Sequence, residues 1–144
     1  MLKKLMFFIL LISVLGACVQ PKAEQDTRQQ TSNNLNPAIT LEEIETYIKE
    51  QGLELKDVDL PENNVFIKEL NGVSPKAYSL EGTTLSIYIF QSVDDRKAGM
   101  EAFEKANANA KLVPYKTFTI KNVLVFYVDG KEAINTKLSS ALKS

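Results

Sequence analysis

The chain of 144 residues contains no histidine, no tryptophan and one cysteine, Cys18. Histidine is the usual base beside a serine or cysteine nucleophile, and histidine and cysteine are the usual protein ligands of zinc and haem iron. A glycine-rich loop followed by lysine, which would cradle a phosphate, is also missing from the sequence. These absences predict a protein that is not an enzyme and that carries no cofactor and no metal.

Carboxylates are the remaining candidates for chemistry. Asp57, Asp59 and Glu62 lie in one short segment and offer oxygen ligands for a hard cation. Their spacing differs from that of a calcium-binding loop, so an exposed acidic loop is the simpler interpretation. A hydrolase that uses two carboxylates brought together in space remains an alternative, because spacing along the chain does not test it.

The N-terminus has the pattern of a secretory signal. An apolar run over residues 5–15 follows Lys3 and Lys4, and only Ser13 interrupts it. A helix needs roughly 20 apolar residues to cross the hydrocarbon core of a bilayer, which is longer than this run. We therefore interpret residues 1–17 as a signal peptide rather than a transmembrane helix.

The run ends in Leu15-Gly16-Ala17-Cys18, which resembles the lipobox of bacterial lipoproteins. The resemblance implies cleavage between Ala17 and Cys18 and a diacylglyceryl group on the Cys18 sulfur, a palmitate-type anchor. A thiol consumed by lipid also explains a lone cysteine, and two acyl chains anchor a protein stably. Because Val19 rather than aspartate follows, we expect the outer face of a Gram-positive cell membrane first and an outer membrane second.

Composition divides the rest of the chain into a tether and one domain. Removal of residues 1–17 leaves 15 basic and 18 acidic residues, a mildly acidic chain without the basic block of a nucleic-acid-binding protein. Large apolar side chains are scarce between Cys18 and Ala38. Residues 18–38 are therefore predicted to be a lipidated cysteine followed by a disordered tether. Residues 39–144 then form a single domain.

Three segments have helix start signals. Thr40 begins a capping box, T-x-x-E, and Ser92 is the expected N-cap of a second helix. Gly99 should weaken that second helix by about 1 kcal/mol relative to alanine. Asp129 and Glu132 are predicted to cap a third helix near the C-terminus.

Five segments have strand patterns: residues 65–70, 76–80, 84–92, 111–120 and 123–128. Residues 55–64 are expected to form a loop. Pro114 marks an edge or a bulge, whereas residues 123–128 are apolar on both faces and predict a strand covered on both sides. The order α-β-β-β-α-β-β-α with tight turns predicts an α+β fold, a mainly antiparallel sheet of about five strands with three helices packed on it.

Two aromatic residues suggest a partner surface. Alternation places Tyr88 and Phe90 on the face opposite Leu85, Ile87 and Ile89, and an uncovered aromatic face would bind a partner. The leading hypothesis is a membrane-anchored, non-enzymatic interaction or accessory module of the cell envelope, with an envelope protein of unknown identity as its partner. The alternative is a carrier or sensor of a small ligand, with a pocket between the sheet and the helices.

Overall fold

The computed structural model describes residues 37–143, which form three α-helices and a five-stranded antiparallel sheet. The elements in chain order are α1 (Leu41–Glu50), β1 (Lys56–Asp57), β2 (Lys76–Leu80), β3 (Thr83–Ile89), α2 (Val93–Asn107), β4 (Tyr115–Ile120), β5 (Val123–Val128) and α3 (Glu132–Ala141). The predicted α+β fold and element order are confirmed.

The sheet has the strand order β1-β2-β3-β5-β4. Two-residue turns close its two hairpins, one at Glu81-Gly82 between β2 and β3 and one at Lys121-Asn122 between β4 and β5. Glu81 and Gly82 both have positive φ, 49° and 83°, which is the conformation that glycine tolerates best. Strand β5 lies between β3 and β4 and all six of its residues are buried, as the two-sided apolar pattern predicts.

The first strand is not where the sequence pattern places it. Residues 65–70 begin as a 3-10 turn, Val65–Ile67, and the strand lies earlier, at Lys56–Asp57, inside the predicted loop. The Asn64 side chain accepts a hydrogen bond from the Phe66 backbone N–H at 2.9 Å, which favours a turn over an extended strand. Phe66 and Leu70 are then buried at a spacing of four residues rather than in alternation.

The sheet separates two apolar clusters. Helices α1 and α3 cover one face, where Ile44, Ile48, Ile134 and Leu138 pack against β3 and β5. Helix α2 and the segment 65–73 cover the other face with an aromatic cluster. Both faces are therefore covered, and each helix contributes one apolar stripe to the core.

The N-caps of the first two helices are confirmed, whereas the predicted cap of the third is wrong. Thr40 and Glu43 form the full capping box, and the Ser92 hydroxyl accepts from the Asp95 backbone N–H at 3.0 Å. Asp129 instead has a positive φ of 49° and donates its N–H to the Pro114 carbonyl at 2.7 Å, which extends the β4–β5 pairing. The N-cap of α3 is Lys131, without a side-chain hydrogen bond.

Helix α2 lies unusually close to the sheet at Gly99. A Cβ atom there would lie 2.6 Å from Cε1 of Phe90 and closer still to Cζ, well inside van der Waals contact. Gly99 and Phe90 are both buried. The glycine that weakens the helix thus permits the helix to cover the aromatic face.

Candidate functional site

Ala17 and Cys18, the predicted cleavage and lipid-attachment residues, lie outside the described residues, so the lipid anchor stays a prediction. Within residues 37–143, the helices are too short or too polar to cross a membrane.

The prediction of a partner surface at Tyr88 and Phe90 depends on an uncovered aromatic face, and in the structure that face is covered. Tyr88 is fully buried and Phe90 is 2% exposed, because α2 and the segment 65–73 cover the face to which both side chains point. Their rings stack with centroids 6.1 Å apart. Tyr88 and Phe90 do point to the opposite face of β3 from Leu85 and Ile87, as predicted. Both faces, however, pack against an apolar core, so neither is a free surface.

The Tyr88 hydroxyl has a structural role. It donates a 2.7 Å hydrogen bond to the Lys68 carbonyl and lies 3.1 Å from the carbonyl oxygen of Phe66. It therefore fixes the segment that follows the 3-10 turn to the sheet. Burial raises the pKa of Tyr88 above its ordinary value, since the phenolate would lose its hydration.

Two of the acidic residues, Asp57 and Glu45, have structural partners of their own. Asp57 pairs with Lys76 at 2.6 Å, and the described part of the chain contains no group of three or more acidic, histidine or cysteine side chains arranged for a metal ion. The Tyr78 hydroxyl donates to Glu45 and holds the pKa of that carboxyl below its usual range. A hydrolytic general acid needs the opposite shift, so Glu45 is suited to accept hydrogen bonds rather than to donate protons.

The outer side of β4 offers unpaired backbone groups. Ile120 and Val123 lie opposite each other at the two-residue turn, so they exchange backbone hydrogen bonds. Alternate residues of an antiparallel strand face opposite neighbours, and Tyr115, Thr117 and Thr119 therefore direct their N–H and C=O groups away from β5. No strand occupies that side of β4 among residues 37–143. Six backbone groups are thus available to another strand.

A groove of about 300 Å³ lies beside this edge, between β4 and α3. Lys116 and Phe118 of β4 form one wall. The other wall is one polar stripe of α3 together with Lys143, two residues after the helix ends: Glu132, Asn135, Thr136, Ser139, Ser140 and Lys143. A strand added to β4 would lie about 4.8 Å from it and would direct every second side chain toward this groove.

Asn135, which lines the groove, carries a buried hydrogen-bond acceptor. The residue is 8% exposed, and its Nδ2 donates to Glu132 at 3.1 Å. Its Oδ1 has no partner among the described residues. A buried acceptor without a donor costs about 1–3 kcal/mol, and a donor in the groove recovers that free energy once the Asn135 side chain turns its Oδ1 toward the groove.

The charge of the domain changes sign from one sheet edge to the other. Residues 39–62, which contain α1 and β1, hold eight acidic and two basic residues. Residues 110–143, which contain β4 and α3, hold six lysines and two acidic residues. Lys116 and Lys143 at the groove are exposed and take part in none of the ion pairs of the described chain. The groove edge therefore presents net positive charge.

A second groove, of about 540 Å³, lies between the start of α1 and the sheet. The side chains of Ile87 and Ile89 make part of its lining apolar. Asn122 also lines the groove. Its Oδ1 accepts from the Ile39 N–H at 2.7 Å, and its Nδ2 donates to the carbonyls of Ile39 and Phe90 at 3.0 and 2.7 Å. This amide is fully used within the protein and has little to offer a ligand.

Sequence reasoning missed the β4–α3 groove, although part of the signal was present. Pro114 marks an edge strand, and β4 is indeed the edge that follows it. Asn135 stands beside Ile134 in a helix whose apolar stripe dominates the pattern, so nothing local distinguishes a buried amide from an exposed one. The meeting of Phe118 with Asn135 depends on α3 packing back onto the sheet.

Comparison with known proteins gives no relative: no protein-family model, no curated protein and no solved structure matches this chain.

Proposed function

We propose that the protein is a lipid-anchored surface protein of the bacterial envelope that binds a partner protein without catalysis, and that the partner adds a strand to β4. The observation that carries this proposal is the open edge of β4. Six backbone groups on Tyr115, Thr117 and Thr119, unpaired among residues 37–143, lie next to a groove that accepts side chains. Strand addition uses such an edge for affinity and neighbouring pockets for specificity.

The two edges of the sheet differ in how well they are protected. Strand β1 has only two residues, Lys56 and Asp57, both exposed and charged, which is a common protection against unwanted pairing. Strand β4 has six residues, rich in threonine and aromatic side chains, with Lys116 as its only charge. An unprotected edge of this length is a liability unless a partner covers it.

Membrane anchoring follows from the lipobox-like sequence. Labelled palmitate should enter the full chain in the producing bacterium, and Cys18→Ala should abolish the labelling and move the protein out of the membrane fraction. A Cys18→Ala protein that stays labelled and membrane-bound would contradict lipidation at this residue.

Site-specific photocrosslinking in the producing cells tests the interaction. A photoreactive amino acid at Thr119 should give a discrete crosslinked product, whereas the same group at Ala98, exposed on α2, should not. Thr117→Pro removes one outward N–H without breaking the β4–β5 ladder, and it should eliminate the product. Thr117→Ala keeps that N–H and serves as the matched control.

Two results would contradict this assignment. One is the same products from Thr119 and Ala98, and the other is a Thr119 product that Thr117→Pro leaves unchanged. Circular dichroism of each variant verifies folding. If Thr117→Pro does not fold, Thr119→Pro replaces it and the photoreactive amino acid moves to position 117.

A small-ligand carrier is the second candidate, favoured by the apolar groove at the start of α1. Its volume of about 540 Å³ is within the range of small-molecule sites. Native mass spectrometry of the full chain purified from the producing cells should then show a bound mass that Ile89→Glu removes. An unliganded mass under gentle conditions would count against this function.

A further inference from the structure

Lys116, Lys143 and the unpaired Asn135 acceptor lie together beside the open edge of β4, and they restrict what the added strand can be. We infer that the partner is an extended segment of another protein with acidic side chains on its groove-facing side, next to a hydroxyl or amide donor. This inference rests on the proposed function, since it names the partner of that same edge.

The register of the sheet decides which partner side chains matter. Lys116 and Phe118 point to the α3 side of β4, whereas Thr117 and Thr119 point to the other side. Residues of an added strand that lie across from Lys116 and Phe118 therefore face the groove. A carboxylate across from Lys116 and an apolar residue across from Phe118 are the favourable cross-strand pairs.

The wider charge distribution favours the same partner. Lys111 and Lys121 flank β4, and the stretch between them contains no acidic residue. Glu132 is the only acidic residue on the groove wall, and its carboxylate already accepts from Asn135 Nδ2. A basic segment would meet like charge along the whole edge, which costs affinity and slows association.

The Asn135 acceptor adds a requirement for a donor. Its Oδ1 is enclosed and unpaired, and Thr136 and Ser140 nearby already donate their hydroxyls to backbone carbonyls of α3. A serine, threonine, asparagine or glutamine side chain of the partner strand supplies the missing hydrogen. Every second residue of the expected partner segment thus faces the groove, and these residues have carboxylate, apolar and hydrogen-bond-donor side chains.

Selection from a random peptide library on the full chain in detergent micelles tests the inference. The selected peptides should bind the Thr117→Pro variant weakly or not at all, and they should carry aspartate or glutamate at alternate positions. For a selected peptide, Lys116→Glu should weaken binding by about tenfold at low salt, as expected for reversal of a close charge pair, and high salt should reduce this difference. Asn135→Ala should weaken peptides that carry a hydroxyl or amide donor more than peptides without one.

The outcomes separate the two proposals. Neutral or basic binders that still require β4, or acidic binders indifferent to Lys116→Glu, would overturn the acidic partner and leave strand addition standing. Binders that Thr117→Pro does not affect, or no binders at all, would overturn both. Pairing of β4 with a second copy of the chain, detected as a dimer that Thr117→Pro dissociates, would also overturn the acidic partner.

Discussion

Replacement of Gly99 by alanine should destabilise the domain, although alanine is the better helix former. Helix propensity alone predicts a gain of about 1 kcal/mol for this substitution in the middle of α2. Packing predicts a loss, because the new methyl group would lie 2.6 Å from Cε1 of Phe90. The sign of the result therefore reports whether packing or propensity dominates at this position.

The geometry indicates that packing dominates. The overlap with the Phe90 ring is about 1 Å relative to normal carbon contact. The Tyr88 ring stacks with that ring, and both rings are buried, so the phenyl group has little room to move. Overpacking of a well-filled core costs typically 1–3 kcal/mol, and a rigid neighbour argues for the upper part of that range. The net loss of unfolding free energy should be about 1–2 kcal/mol.

Urea unfolding of the full chain, followed by circular dichroism, measures this difference. Ala98→Gly, at an exposed position of α2, isolates helix propensity and should also destabilise, by about 1 kcal/mol. In a Phe90→Leu background the ring is gone, so Gly99→Ala should become neutral or stabilising. A Gly99→Ala protein more stable than the parent, or the same cost in both backgrounds, would refute the argument from close approach.

Two further predictions concern buried polar groups. Asn122→Ala leaves three buried backbone groups without partners and should lower the unfolding free energy by about 3 kcal/mol or more. Thermal and urea unfolding measure this loss. A loss below about 1 kcal/mol would mean that water replaces the amide. Tyr88 stays protonated in the folded protein above its ordinary pKa of 10.0, whereas the unfolded chain ionises there, so stability should fall as the pH rises beyond 10. Tyr88→Phe should be less stable than the parent by about 1 kcal/mol at pH 8, because it lacks the hydroxyl hydrogen bond. This difference in unfolding free energy should become smaller above pH 10. A difference that stays constant up to pH 12 would contradict the burial of the Tyr88 hydroxyl.

The open edge of β4 and the closed aromatic face together define what kind of surface this domain offers. A covered face cannot bind a partner without unfolding part of the core, because α2 would have to leave Phe90 and Phe126 of the sheet. An edge strand binds without such a cost, since its backbone groups already point to solvent. The proposed strand addition at β4 therefore needs no helix to leave the sheet, and only the Asn135 side chain has to turn.

Local features of the sequence were sufficient for most of the secondary structure. The capping box at Thr40, the cap at Ser92 and the short turns are determined by residues within four positions of one another, and they form as predicted. The two-sided apolar pattern of residues 123–128 also identified the interior strand. Where local signals compete, the prediction is wrong: the Asn64 side chain turns residues 65–67 away from an extended strand.

The sequence by itself determined the fold class, the order of the elements and the absence of histidine chemistry, because composition and short-range pattern carry that information. Only the tertiary structure decided which faces are covered. Whether Tyr88 and Phe90 are exposed depends on the close approach of α2. Gly99, which lies nine residues after Phe90, permits that approach. The groove likewise joins Phe118 and Asn135 from different elements. Burial is a property of the whole packed chain, and a pattern of alternation shows two faces without showing what lies against either.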